Sequence, residues 1–283
     1  MKFYEHLDEF EKYLSHYLDG IGKNVPFSLC SAIKYGILDG GKRLRPMLVF
    51  AAGEAVGGNY KNLFAVATAL EMIHSYSLIH DDLPCMDNDE MRRGKPTCHK
   101  AFGYGAAVLA GDALLNLAFE ILSENPEKLN EKVMLQIIGA ISQASGCRGM
   151  IAGQSLDISG ATTDIEGLHN LKTGALIVSA LVSGALASGA EKAEINYLTE
   201  YGKRLGLAFQ ITDDILDATG TVEAIGKDIN QDDNKTTYVT LYGIEGAKEK
   251  ARIEINAAKV MAKSFKKPEI LIELADYVLF RNK

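Results

Sequence analysis

Two short groups of aspartates are the residues of this sequence best suited to chemistry. One is DDLPCMD at residues 81–87 and the other is DDILD at residues 213–217, and each closes an apolar segment. A buried cluster of carboxylates carries a desolvation cost that a bound cation offsets. In the second group, carboxylate oxygens without neighbouring Cys or His ligands favour Mg²⁺ over zinc. The two groups therefore predict a magnesium site.

The spacing within each group predicts its local geometry. Asp213 and Asp217 are separated by one helical turn, so a continuous helix places both carboxylates on one face. Asp81 and Asp87 are too far apart in sequence to share a helical face. Pro84 disfavours helical geometry at the residue before it, so we expect the helix to end there and the chain to turn back, which brings Asp87 to the side of Asp81.

Basic residues near both groups could bind a phosphorylated ligand. Mg²⁺ is usually bound by a few carboxylates together with waters and substrate phosphates, so the predicted metal implies such a ligand. Arginine presents a planar fork to phosphate oxygens and lysine a point charge. The candidates are Lys42, Arg45, Arg92, Arg93, Lys95, Lys172, Lys227 and Lys235.

Composition restricts the class of protein. The chain has 283 residues, of which 47% are hydrophobic, and a net charge of -7. The negative charge argues against a nucleic acid or an anionic membrane surface as partner. The four cysteines show neither CxxC pairing nor the density of a secreted scaffold, and the N-terminus lacks the apolar run of a signal peptide. We expect reduced thiols and a cytoplasmic protein.

Apolar residues recur at helical spacing along nearly the whole chain, which predicts an all-α protein. Residues 174–190 are apolar or small but shorter than the roughly 20 residues needed to span a membrane, so we interpret them as a core helix and expect no integral membrane segment. Because no linker or composition shift divides the chain, we expect a single domain over residues 1–283, with the site between two facing helices of one bundle.

Five ordered motifs carry a resemblance to a known family. Residues 71–87 (EMIHSYSLIHDDLPCMD), followed by RRGKPT at 92–97, resemble the first aspartate-rich motif of trans-prenyltransferases, the short-chain polyprenyl diphosphate synthases. GGKRLRP at 40–46, KTG at 172–174 and FQITDDILD at 209–217 match further motifs of that family in order. The resemblance extends from about residue 30 to the end of the chain.

The resemblance implies a fold and an activity. The fold would be the type I isoprenoid synthase fold, a single-domain antiparallel helical bundle around a deep central cavity, assembled as a homodimer. The enzyme would condense isopentenyl diphosphate with dimethylallyl or geranyl diphosphate, between which the sequence does not choose. About three Mg²⁺ ions per site would assist ionisation of the allylic diphosphate when substrate is bound.

The resemblance also implies a role for individual residues. Asp81, Asp87 and Asp213 would bind Mg²⁺, with Asp82 and Asp217 acting through water or neighbouring groups. The allylic diphosphate would be bound by Arg92, Lys172 and Lys227, and the isopentenyl diphosphate by Lys42, Arg45, His74 and Arg93. Lys172, Thr173 and Gln210 would line the position of the carbocation. The catalytic set comprises Asp81, Asp82, Asp87, Lys172, Thr173, Gln210, Asp213, Asp214 and Asp217. The short segment at 220–234 leaves open whether Lys227 or Lys235 reaches the diphosphate.

Tyr76 is the candidate for setting product length. It lies five residues before Asp81, roughly 7.5 Å deeper along the helix, with Ser77 beside it. An aromatic residue at this depth, together with the longer first motif, resembles the bacterial farnesyl diphosphate synthases. We therefore expect farnesyl diphosphate as product, with geranylgeranyl or geranyl diphosphate as alternatives and ordinary core packing as the competing explanation of Tyr76.

Three alternatives from other classes are weaker. The Glu-x-x-His pairs Glu71/His74 and Glu166/His169 have the spacing of di-iron carboxylate bundles, but that interpretation leaves both aspartate groups unexplained. A non-catalytic partner subunit would be expected to lack one of the aspartate groups. A terpene cyclase would have no use for a second diphosphate pocket.

Overall fold

The computed structural model describes residues 4–23, 25–38, 40–160, 164–219 and 237–281. Helices form nearly all of the described chain, as the apolar periodicity predicts. The N-terminal ones are α1 (Leu7–Ile21), α2 (Phe27–Leu38), α3 (Leu44–Ala55), α4 (Phe64–Asp81), α5 (Cys98–Phe102), α6 (Tyr104–Glu124) and α7 (Glu131–Ser145). They are followed by α8 (Met150–Ser159), α9 (Ile165–His169), α10 (Ala175–Ala187), α11 (Lys192–Thr219), α12 (Tyr238–Ala262) and α13 (Pro268–Phe280). A short 3₁₀ turn, Tyr60–Leu63, precedes α4.

The helices α3, α4 and α10 form the centre of the bundle. Every residue of α4 from Phe64 to Ile73 is buried, because α4 packs against α3, α6 and α10. A helix that is apolar on all sides belongs in such a central position. Most of the buried residues form one continuous hydrophobic cluster, and a smaller one joins α11 to α12 through Leu207, Ile211, Tyr238, Ala247 and Ala251. The single-domain organisation of residues 1–283 stays a prediction.

Two stretches of the described chain are long and apolar enough to cross a membrane by length and composition alone. They are Tyr104–Glu124 and Ile165–Ala187, and about half of the most apolar window of each is buried inside the protein, 44% and 50% respectively. Core helices of a bundle meet the same criteria. The second stretch includes α10, which packs against α3, α7 and α11 as an interior helix. The absence of a membrane segment stays a prediction.

A small hairpin follows the first aspartate group and was not anticipated from the sequence. The strands β1 (Met91–Arg92) and β2 (Lys95–Pro96) pair antiparallel, with Arg92 opposite Lys95. Arg93 and Gly94 connect them with φ angles of 54° and 76°, as a type I′ turn requires. Strands this short show no alternating pattern, so periodicity could not predict them. The hairpin carries two of the predicted phosphate-binding arginines.

The chain makes one turn of π-helix, Asn170–Gly174, between α9 and α10. This π-turn carries Lys172, and two neighbouring helices approach it closely through glycines. A Cβ added at Gly153 of α8 would lie 2.3 Å from the Lys172 nitrogen, and one added at Gly206 of α11 would lie 3.1 Å from the Cα of Gly174. Such π-turns occur frequently at functional sites.

Candidate active site

The first aspartate group forms a turn at the end of α4. The helix ends at Asp81, and the backbone N–H of Asp87 donates to the Asp81 carbonyl oxygen at 2.9 Å. A second backbone bond, from Asn88 to the carbonyl oxygen of Leu83, closes the loop at 3.1 Å. The turn predicted from Pro84 is confirmed, and it returns Asp87 to Asp81.

Asp81 is half-buried and electrostatically suited to a cation. The pKa of its carboxyl is raised to about 6, chiefly by burial; the neighbouring carboxylates of Asp87 and Asp82 also raise it, whereas Lys172 and Arg92 lower it. A divalent ion would reverse this cost. Within the described residues, no three carboxylate, imidazole or thiol groups lie close enough to hold a metal by themselves.

Asp82, unlike Asp81, is already paired with a cation, the guanidinium of Arg92. The Arg92 Nε lies 2.8 Å and 2.9 Å from the two carboxylate oxygens of Asp82, and Nη2 lies 2.6 Å from one of them. Arg92 also approaches Asp89 at 3.6 Å. The hairpin is thereby attached to the end of α4. The predicted role of Arg92 toward a diphosphate would use the part of its guanidinium that these contacts leave available.

The second aspartate group lies in the last turns of α11, as predicted. Asp213 accepts a hydrogen bond from Arg281 at 2.5 Å and another from the Gln210 side chain at 3.3 Å. Asp214 accepts the backbone N–H of Tyr238 at 2.7 Å, which joins α11 to the start of α12. Asp217 is exposed one turn beyond Asp213. The catalytic roles of Asp214 and Asp217 stay predictions.

Lys172 connects the π-turn to the first aspartate group. Its Nζ pairs with Asp157 of α8 at 2.6 Å, and its charge lowers the pKa of Asp81 against the effect of burial. Thr173 follows it and is half-buried. A cation on the π-turn thus interacts with a carboxylate at the end of α4. The sequence predicts that the allylic diphosphate is bound by residues of both elements.

The basic residues predicted to bind the second diphosphate lie near one another. Partial desolvation and the nearby Arg281 lower the pKa of Lys42, whereas Asp213 raises it. Burial lowers the pKa of Arg45 to about 10, and its Nε is buried without a partner among the described residues. Burial and then the charge of Arg45 lower the pKa of His74 well below its usual value, and Arg93, which donates to the Gly40 carbonyl oxygen at 2.5 Å, lowers it further. We call Lys42, Arg45, His74 and Arg93 the basic cluster.

The loop that carries the basic cluster is held by a residue that the sequence did not single out. Arg43 has a left-handed φ of 47° and is buried, and its guanidinium bridges Glu11 of α1 at 2.6 Å and Glu71 of α4 at 2.7 Å. Glu71 is therefore the partner of an arginine through one of its carboxylate oxygens. This ion pair argues against the Glu71/His74 pair as a di-iron ligand set.

Tyr76 faces the interior below the first aspartate group. It is 6% exposed, and its hydroxyl is buried without a hydrogen-bond partner among the described residues. Burial, and then the charge of Asp81, raise the pKa of Tyr76 to about 12. Ser77 is half-buried and donates to the His74 carbonyl oxygen at 2.9 Å. The chain-length role of both residues stays a prediction.

Several residues at the site were missed from the sequence, and others cannot be located. Arg281, Asp157 and Arg43 were not named because each meets its partner only in the folded chain; the basic end of the sequence was the one available signal for Arg281. Lys227 and Lys235 lie outside the described residues.

Comparison with known proteins identifies the family. The family model described as polyprenyl synthetase matches residues 27–277. The chain belongs to the polyprenyl synthetase family. The enzyme class predicted from the motifs, a prenyltransferase, is confirmed with it.

Individual relatives resemble the chain over most of its length. A farnesyl diphosphate synthase of Geobacillus stearothermophilus is 44% identical over 88% of this chain and 86% of the relative. A chloroplastic geranylgeranyl pyrophosphate synthase of Capsicum annuum is 44% identical over 91% of this chain and 72% of its own. The structure of a geranyltransferase from Helicobacter pylori, complexed with magnesium and isoprenyl diphosphate, is 34% identical and covers 98% of this chain and 95% of its own with a TM-score of 0.83. The predicted isoprenoid synthase fold is confirmed.

Proposed function

We propose that this protein is a short-chain trans-polyprenyl diphosphate synthase that condenses isopentenyl diphosphate with an allylic diphosphate to form farnesyl diphosphate. The observation that carries the proposal is that the protein has both a carboxylate site and a separate basic site. Carboxylates at the ends of α4 and α11 suit a metal-bound diphosphate, and the separate basic cluster suits a second diphosphate without metal. Two diphosphates are what a condensing enzyme needs and a cyclase does not.

Asp81, Asp87 and Asp213 would bind Mg²⁺, together with the allylic diphosphate and waters. The raised pKa of Asp81 and the return of Asp87 to its side support this assignment. Bound Mg²⁺ would neutralise the departing diphosphate and so lower the barrier to ionisation. About three ions per site are proposed, by resemblance to the family. Because Arg281 contacts Asp213 directly, metal binding there must compete with this arginine.

Lys172 would contact the same diphosphate. Asp157 orients its ammonium group at 2.6 Å, and Lys172 interacts electrostatically with Asp81. Arg92 would contribute from the hairpin, where Asp82 fixes its position. Fixed cations aimed at the leaving group stabilise the charge that develops there without reorganisation during the reaction.

The basic cluster would bind isopentenyl diphosphate. Neutral His74 can donate one hydrogen bond, while Lys42, Arg45 and Arg93 supply charge. The Arg45 Nε, buried without a partner among the described residues, is a donor that a phosphate oxygen would satisfy. Arg281, which interacts with Lys42, lies beside the cluster and would add to its positive potential.

Thr173 and Gln210 would line the position of the allylic carbocation, since oxygen atoms that point toward it stabilise its charge. The apolar interior beneath α4 would exclude water that could quench the cation. Once the new bond has formed, the released diphosphate would accept the proton, so that no protein nucleophile is needed.

Tyr76 would close the end of the product cavity. Its buried position on α4, below Asp81, supports farnesyl diphosphate as the product. Geranylgeranyl diphosphate is the second candidate, because a relative as similar as the farnesyl synthases is named for that product. The choice between dimethylallyl and geranyl diphosphate as donor stays open.

A homodimer in the cytoplasm is also part of the proposal. Exposed apolar side chains on the adjoining helices α6 and α7, including Leu109 (58% exposed) and Leu135 (69% exposed), support an interface between two copies. Light scattering at micromolar concentration tests it, and a monomer would contradict this part of the proposal alone.

The activity is tested by incubating the protein with isopentenyl and geranyl diphosphates and Mg²⁺, followed by chain-length analysis. We expect farnesyl diphosphate, and no product after chelation of the metal. Asp81→Asn should abolish turnover, whereas the control Asp112→Asn, at an exposed position of α6, should retain it. Absence of any metal-dependent product would reject the enzyme; a longer product would reject only the assigned chain length.

A further inference from the structure

His80 lies on the same face of α4 as Tyr76, one helical turn closer to the first aspartate group. The two rings make an edge-to-face contact, with centroids 5.8 Å apart and an interplanar angle of 79°. Side chains of a helix lean toward its N-terminus, so the imidazole of His80 lies over the turn that carries Tyr76. His80 has no part in the proposed binding of metal or diphosphate.

The imidazole of His80 is fixed from its other side by α6. Its Nε2 lies 3.1 Å from the backbone carbonyl oxygen of Val108. Because a carbonyl oxygen only accepts, Nε2 carries the proton and donates this hydrogen bond. Asp112 Oδ1 lies 3.9 Å from the same nitrogen, which is too far for a hydrogen bond. The ring is therefore held by the backbone of α6, which cannot rotate away as a side chain can.

Gly111 provides the space in which the imidazole lies. A Cβ added at Gly111 would lie 2.1 Å from Nε2 of His80, 2.4 Å from Cδ2 and 2.9 Å from Cε1. The ring therefore packs directly on the backbone of α6, at a position where a larger residue would displace it. It fills the space between α4 and α6 beside Tyr76.

The orientation of the Tyr76 ring is set by packing. Its hydroxyl is buried without a hydrogen-bond partner among the described residues, and the residue is 6% exposed. Edge-to-face aromatic pairs contribute stabilisation beyond the burial of their area. The contact with His80 therefore restrains a ring that no hydrogen bond within the described chain holds in place.

We propose that His80 is a positioning residue for Tyr76 and through it determines product length. The inference rests on the proposed function, in which Tyr76 closes the end of the product cavity. His80 keeps the Tyr76 ring across that end by filling the adjacent space between α4 and α6. Without the imidazole, the Tyr76 ring can swing into the vacated space, and the growing isoprenoid chain can then extend past it.

The test is His80→Ala, incubated with isopentenyl and geranyl diphosphates and Mg²⁺. The ratio of longer products to farnesyl diphosphate should rise about two- to tenfold, the factor that corresponds to one aromatic pair. This ratio compares two products of the same enzyme molecules, so it does not depend on the fraction of protein that folds. If His80 acts through Tyr76, His80→Ala should cause no further change in a Tyr76→Ala background.

Matched variants separate the packing of the ring from its charge. His80→Phe keeps an aromatic ring between the helices but removes both ring nitrogens, and it should keep the product ratio within about twofold of the wild type. Asp112→Asn removes the negative charge beside His80 and should leave the ratio unchanged. Gly105→Ala adds a methyl group to α6 where a Cβ meets no atom within 4 Å, and should leave kcat and the ratio unchanged.

Two results would overturn the role of His80. One is an unchanged product ratio in His80→Ala although Tyr76→Ala lengthens the product. The other is an equal rise in His80→Phe and His80→Ala, because product length would then depend on the ring nitrogens rather than on packing.

Failure of the proposed function gives different results. A wild-type protein that forms no prenyl product would overturn the activity, and an unchanged product from Tyr76→Ala would overturn Tyr76 as the end of the cavity. NMR tests the contact itself without turnover, since His80→Ala should shift the ring-proton signals of Tyr76. Unshifted signals would show that His80 does not restrain that ring.

Discussion

Gly153 is the position where one added methyl group should disturb the reaction most directly. A Cβ there would lie 2.3 Å from the backbone nitrogen of Lys172, 2.6 Å from its Cα and 2.8 Å from its Cβ. Two of these atoms belong to the backbone of the π-turn, which cannot rotate away as the end of a flexible side chain can. Since favourable contacts begin at about 3.5 Å, Gly153→Ala must push the π-turn away from α8 by roughly 1 Å.

Gly153→Ala should affect kcat more strongly than it affects the free energy of unfolding. A displacement of about 1 Å in a group that positions substrate can lower the rate about 100-fold. Overpacking in the same place costs about 1–3 kcal/mol of unfolding free energy, of which the higher helix propensity of alanine returns up to about 1 kcal/mol. Gly153→Ala should therefore fold, with a free energy of unfolding lowered by about 0–2 kcal/mol and kcat lowered about 100-fold.

Steady-state kinetics with isopentenyl and geranyl diphosphates, together with urea unfolding, measure both quantities. Gly139→Ala in α7 is the first control, because a Cβ there meets no atom within 4 Å, and it should retain full activity. Gly58→Ala is the second, because its Cβ would lie 2.2 Å from the Ser188 Oγ, away from the π-turn, and it should affect stability alone. If Gly153→Ala kept kcat within twofold of the wild type, its contact with Lys172 would not set the position of the π-turn.

Three further variants test other parts of the structure. Glu71→Gln leaves the buried Arg43 with one charged partner fewer and should lower the free energy of unfolding by about 3 kcal/mol, whereas Glu249→Gln, in an exposed pair, should have a much smaller effect. Tyr76→Ala should open the cavity and give products longer than farnesyl diphosphate in chain-length analysis. The pKa of His74 is lowered well below 6.5 in the folded protein, so only the unfolded chain takes up a proton there as the pH falls. The free energy of unfolding, measured in urea, should therefore decrease from about pH 6.5 to 5 more steeply in the wild type than in His74→Asn.

Each of these expectations has a contrary result. Equal effects of Glu71→Gln and Glu249→Gln would mean that the Arg43 bridge contributes no more than a surface pair. An unchanged farnesyl product from Tyr76→Ala would remove Tyr76 as the end of the cavity. Parallel stability profiles for the wild type and His74→Asn would show that His74 does not resist protonation in the folded state.

Local features of the sequence were sufficient to predict the chemistry and the helices. The one-turn spacing of Asp213 and Asp217 and the proline at 84 act over a few residues, and the backbone bond from Asp87 to Asp81 confirms the turn that Pro84 imposes. The order of the motifs carried the family, because five blocks in one order are specific where one is not. These properties need no knowledge of which helices touch.

The partners of the charged groups could be known only from the folded chain. Arg43 bridges Glu11 and Glu71, Lys172 pairs with Asp157, and Arg281 reaches Asp213 from the far end of the sequence. The spacing of these residues in the sequence does not predict these contacts, because each contact joins separate elements and depends on how the helices pack. The aspartates and basic residues thus follow from the sequence, whereas their orientation, and the glycine contacts that position the π-turn, are products of tertiary packing.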